Sequence, residues 1–413
     1  MTPLRHPINA RGWKHWTSVL ALTALGTFLG YHASEAGLLI DLRYRLHQYM
    51  TNLNPRPLDI RHTAVVLIGD EEYWRGELAH RRPIKRDYLA RLLLAVDGAN
   101  PTLIALDFDL SAPEPSYPTI RPDYHRETRE LVEAIRRIAT RRPLVLPQTV
   151  GGGSGGYVLE ADVYDHWHLC PRSPQEKQGP NIFCGYIALP NDMRLLPPRL
   201  LLSNGLYLDS FAAAAARARR PFAPAGEQSI ALGYGSFIPY ERYKSQLAVV
   251  TAGDVFTRVE ERRKLEHRVV LIGSGWSRLA YGRGGLADGH SSPVGVIPGV
   301  FVHANYVEAI LDGRAYRPIP EWVGISAEVL VVLAAALVFA ARLPPWRKAG
   351  AIAFLCICLG LFSYLLFQNL GRFFDAFIPL LMVAGHAVFE QVRRWREEAH
   401  RARVVHHVSE EHR

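Results

Sequence analysis

Residues 62–109 open on HTAVVLIG (62–69), run through DYLARLLLAVD (87–97) and close on TLIALDFD (102–109). The outer two segments are short apolar runs that end in glycine or aspartate, the pattern of buried strands passing into loops. Between them leucine and alanine recur at helical spacing until Asn100-Pro101 stops the helix. Strand, helix and strand in this order predict a right-handed parallel crossover. The pattern repeats downstream with an amphipathic helix over 126–140 and a strand over 143–150. An irregular region follows to about Phe183, then an alanine-rich helix (SFAAAAARAR, 210–219) and a strand in HRVVLIG (267–273). A glycine turn leads into a last helix, PGVFVHANYVEAIL (298–311). This alternation predicts an α/β domain with a central, largely parallel sheet.

Outward from the domain, apolar segments stand on both sides. One runs from Trp16 to about Ile40 behind Arg5, Arg11 and Lys14; three follow, Trp322 to Ala341, Ala349 to Phe367 and Phe373 to Val388. Each approaches the length of a membrane-crossing helix. Four crossings put Arg5/Arg11/Lys14, Arg342/Arg347/Lys348 and Arg393/Arg394/Arg396 on one side, which the positive-inside bias makes the cytoplasm. The expected organisation is a cytoplasmic N-terminus (1–15), a transmembrane helix (16–40) and an extracytoplasmic domain (41–320). Three more transmembrane helices (321–341, 349–367, 373–392) and a cytoplasmic tail (393–413) complete it. A cleaved signal peptide is the alternative for the first segment. It lacks a clear small-x-small cleavage site, and its apolar helical pattern continues to Ile40, which favours an anchor.

A formal net charge of +9 would suit a nucleic-acid binder. Much of that surplus lies in the flanks that set topology and can touch anionic lipid head groups, so nucleic acid is not an expected partner. Of the four cysteines, Cys356 and Cys358 fall in an apolar helix and behave as small apolar residues. Cys170 and Cys184 lie in the exported part on either side of a Pro/Gly-rich loop. They can close a disulfide in an oxidising compartment, the alternative being two unpaired buried thiols.

Asp70, Asp107 and Asp109 stand just beyond two adjacent parallel strands, where α/β sheets carry their ligand crevice. Carboxylates there can hold a cation, bind hydroxyls or serve as acid and base. Equally, Asp70 and Asp107 can cap neighbouring loops and helices by accepting backbone N–H bonds. His303 and Asn305 begin the helix after Pro298-Gly299 and can close over the sheet's end, although a lone histidine so placed is more often a hydrogen-bonded core residue. Gly273-Ser274-Gly275 has neither the lysine of a phosphate loop nor the flanks of a nucleophile elbow. His166 and His168 form a loose cluster near Cys170 that does not amount to a zinc site. Within the apolar segments, Glu328 and His386 are ionisable and expected to face a bundle interior.

The ordered set DLRYRL (41–46), VVLIGDEEYW (65–74), Pro83 with Arg86, LIALDFDLSAPEP (103–115) and FCGYIALPNDMRLLP (183–197) continues with SFAAAAARAR, RVVLIGS (268–274), Asp288 ahead of Ser292-Pro293, and PGVFVHANYVEAIL. Followed by apolar helices, it resembles CHASE2, an extracytoplasmic sensor domain of bacterial receptors. The resemblance implies a ligand-detecting role in the inner membrane, adds Asp288 to the candidate ligand-binding residues, implies no cofactor, and suggests a homodimer. Receptors of this family usually continue into a cyclase or kinase, whereas Gln391 to Arg413 are too few for a catalytic domain. The expectation is therefore a non-enzyme that relays a stimulus to a separately encoded effector. Two alternatives stand beside it: a structural subunit of a membrane complex, and an exported hydrolase using the sheet-edge aspartates.

Overall fold

Six apolar runs pair into a single all-parallel sheet in the computed structural model. It describes residues 40–53, 59–110 and 123–374, apart from 154–155, 162–166, 177–178, 197–198, 220–232, 236, 247, 281–282 and 342, together with positions 28, 32 and 383. The strands are β1 (Thr63–Ile68), β2 (Leu103–Asp107), β3 (Leu144–Gln148), β4 (Ile182–Tyr186), β5 (Val249–Thr251) and β6 (Val269–Ser274). Their order across the sheet is β5-β1-β6-β2-β3-β4. Pairing of Ile68 with Ser274 and of Gly273 with Asp107 makes β1, β6 and β2 finish level with one another.

Both faces of the sheet are covered, which is why its strands read as continuous apolar runs rather than alternating ones. Helices α1 (Ile40–Asn52), α2 (Arg86–Asp97), α3 (Tyr124–Ala139), α4 (Phe211–Arg219), α5 (Ala252–Thr257) and α6 (Gly299–Leu311) accompany it. Side chains of α2, α3 and α5 share one core with Val66, Ile68, Ile104, Leu106, Leu144 and Ile272. Helices α4 and α6 pack on each other and on the sheet. Val65, Ala105, Val145 and Leu271, alternate in their strands and therefore on the opposite face, are equally buried. Close approach of β6 to α6 requires Gly273, since a Cβ there would stand 2.4 Å from the Cβ of Val300.

Strand β4 begins where the sequence pattern predicts irregular chain. It is short, contains Gly185, and is tied to the preceding loop by a disulfide between Cys170 and Cys184, Cα atoms 5.8 Å apart. Two antiparallel hairpins, Ser277–Leu279 with Arg283–Leu286 and Gly289–Ser292 with Gly295–Pro298, fill the connection from β6 to α6. Apart from the start of α1, Ile40 to Arg43, these elements belong to one unit, Tyr44–Arg317, and the flanking segments to a second.

In the flanking unit, α7 (Glu321–Ala340) and α8 (Pro345–Leu370) follow each other closely. Trp346–Phe367 is long and apolar enough to cross a membrane, with a mean hydropathy of 2.3, while Trp322–Ala335 is apolar but shorter. Among the described residues one helix therefore meets the criterion where four are expected. The segments 16–40 and 373–392, with His386, lie almost wholly outside the described residues. Glu328 falls within α7.

Candidate functional site

The level C-terminal ends of β1, β6 and β2 open on one edge of the sheet, where a cleft of about 690 Å³ is found. Ligand crevices of open α/β sheets lie at such edges. Asp107, the last residue of β2, lines the cleft with its side chain 8 % exposed. Among the described residues no hydrogen bond reaches its carboxyl group, and His303 Nε2 from α6 stands 3.8 Å away, beyond hydrogen-bond range. Burial, and secondarily the charge of Asp288, push this carboxyl well above the usual carboxylate range.

Asp288 enters from the hairpin region. Burial works to raise it, but a 2.8 Å bond from His290, the charges of His290 and His303, and the Gly299 backbone N–H hold it below the ordinary value. A Cβ at Gly299 would lie 2.5 Å from Asp288 Oδ2, so only glycine lets the start of α6 approach this carboxylate. His303 is pushed down to about 4, chiefly by burial, and is neutral at pH 7. The cleft thus holds one carboxyl held low beside one held high, the divergence expected when like charges share a site.

Aromatic rings build the adjoining wall. Tyr73 stacks on Trp276 at 4.1 Å and 5°, and Phe108 lies nearly parallel to Trp276 at 6.1 Å. Arg81 also borders the cleft, yet its guanidinium is engaged in both arms with Glu127 at 2.5 and 2.8 Å. Arg82 Nε donates to the Tyr73 hydroxyl at 3.3 Å.

The structure gathers four of the expected residues, Asp107, Asp109, Asp288 and His303, around this cleft. It uses two others differently. Asp70 accepts the backbone N–H and the hydroxyl of Ser277 at 2.7 and 2.9 Å, tying the loop after β1 to the loop after β6. Asn305 is buried in α6, accepts from Ile238 N at 2.6 Å and donates to Phe301 O at 2.8 Å. Both serve the scaffold rather than the cleft.

A family model described as the CHASE2 domain matches residues 18–341. The chain belongs to the CHASE2 family. CHASE2 domains are extracytoplasmic sensor domains, and no catalytic domain family is detected in this chain. No curated protein and no solved structure matches it.

At the opposite edge of this CHASE2 sheet, the C-terminal half of α6 performs a structural task. Glu308 Oε1 accepts from the backbone N–H groups of His62 and Thr63 and from the Thr63 hydroxyl, at 2.8, 2.6 and 2.9 Å. His62 Nε2 meets Asp312 Oδ1 at 2.7 Å, and Arg314 reaches Asp312 Oδ2 at 3.0 Å. His62, Glu308 and Asp312 bring ligand atoms close enough to hold a metal ion. With Arg314 paired to Asp312 and these donors in place, the cluster clamps the start of β1. Sequence patterning missed the Glu308 clamp and the cleft residues Tyr73, Trp276 and His290. A single acid inside an otherwise apolar helix was the available signal for Glu308.

Proposed function

We propose that this CHASE2 protein is an integral inner-membrane sensor. Its extracytoplasmic domain takes up a small-molecule stimulus in the cleft at Asp107 and relays it through membrane helices to a separately encoded partner. The observation that carries this reading is the Asp107 carboxyl, buried at the C-terminal sheet edge without a hydrogen-bond partner. The group opens on the cleft, where a ligand that supplies donors can bond it. The Cys170–Cys184 disulfide suits an oxidising compartment. The helix Trp346–Phe367 suits a membrane anchor. Both termini are cytoplasmic in this scheme, as the flanking basic clusters favour. Relay needs a ligand that binds one conformational state better than the other.

Affinity purification of the full-length protein from its native membrane tests the proposal, combined with Asp107→Asn and His303→Gln. A co-purifying output protein whose recovery or activity changes in both variants is the expected result. Identical recovery and output in variants that retain the disulfide would overturn it.

A further inference from the structure

Resting on the cleft as the sensing site, we infer that its ligand is a small organic cation bearing a protonated amine, with the ammonium group docked on Asp107. Three features of the cleft select this class. Three carboxyl groups line the cleft, Asp107, Asp109 and Asp288, against the guanidinium of Arg82, while the Arg81 guanidinium is engaged with Glu127. An anionic ligand would meet like charge. Among the described residues the trio of ligand atoms lying within 4.8 Å of one another belongs to His62, Glu308 and Asp312, at the far edge and not in this cleft. A cation that fits must bring its own body, and the wall of Tyr73, Trp276 and Phe108 offers that body apolar surface.

The titratable groups lining the cleft with Asp107 are His303 on α6, Asp288 and His290 from the hairpins, Asp109 beyond β2, and Tyr73, Arg81 and Arg82 after β1. Burial and the charge of Asp288 make Asp107 hold a proton more tightly than a free carboxyl does, and an ammonium against it favours the ionised form. Docking therefore favours release of that proton, and amine affinity rises with pH through the range in which Asp107 titrates.

Calorimetric titration of the full-length protein in lipid nanodiscs, in two buffers of different ionisation enthalpy, tests the inference. The probes are putrescine, ethylamine, glucose and calcium chloride. Saturable binding of putrescine or ethylamine is expected, with buffer-dependent heat showing proton release and at least tenfold weakening in Asp107→Asn. The two amines separate a diamine from a monoamine as the source. Binding of glucose or calcium in place of either amine, equal amine affinity in Asp107→Asn, or no binding of any probe would overturn the class. Should Asp107→Asn fail to fold, amine uptake by the unaltered protein without buffer-dependent heat overturns it instead. A change of partner output in Asp107→Asn without amine binding removes only the ligand class. Amine binding without any effect on output removes only the sensor reading.

Discussion

Asp107 and His303 pull the pH dependence of folding in opposite directions. The carboxyl is raised in the fold, so the folded state binds its proton more readily than the unfolded chain does. Its contribution is fully present below the unfolded carboxylate value and is lost as pH climbs through the raised one. His303 is lowered from 6.5 to about 4, so its contribution is fully present above 6.5 and drains away as pH falls toward 4. That drain amounts to about 3 kcal/mol over the window. His303→Gln is expected to flatten the decline of melting temperature between pH 6.5 and 4. Asp107→Asn is expected to raise the melting temperature at pH 7, because a raised carboxyl destabilises the fold above the unfolded carboxylate value. A lower melting temperature for Asp107→Asn at pH 7 would contradict the raised state of this carboxyl. Gly273→Ala forces a methyl into Val300 and is expected to cost about 1–3 kcal/mol in denaturant melts.

Among the elements, the disulfide anchors the outermost strand beyond β3. It closes a loop of sequence separation 14, and Cys170→Ser with Cys184→Ser is expected to lower stability by about 3 kcal/mol, read as a reduced denaturation midpoint. An unchanged midpoint would mean the bond constrains little. Strands β1, β2 and β6 and helices α2, α3, α4 and α6 were legible in the sequence because each is long or apolar enough to show its period. Strand β5, three residues long, and β4, with a glycine inside, were not. The candidate residues followed the same division. Sheet-edge position pointed equally to Asp70, Asp107, Asn305 and His303, yet only tertiary partners distinguish them. Ser277 takes up Asp70 from 207 residues away and Ile238 takes up Asn305 from 67. No local pattern carries information over such separations.

For the whole molecule, the distribution of basic residues and the apolar helix Trp346–Phe367 set the expected orientation. A periplasmic alkaline phosphatase fused near residue 200 is expected to be active, and a fluorescent protein that folds only in the cytosol is expected to stay dark there. The reverse pattern would invert the arrangement.

Helix α6 runs from Gly299, against Asp288 at the cleft, to Glu308 and Asp312, against the start of β1. Its 13 residues span about 20 Å and contain neither proline nor any glycine after the first, so nothing along it can absorb a bend. On the proposed sensor reading it is a pushrod, linking a guest at the cleft to the carboxylate that grips β1. From that heel the chain runs directly through Ala315–Pro318 into α7, the first stretch through which the motion could leave the domain.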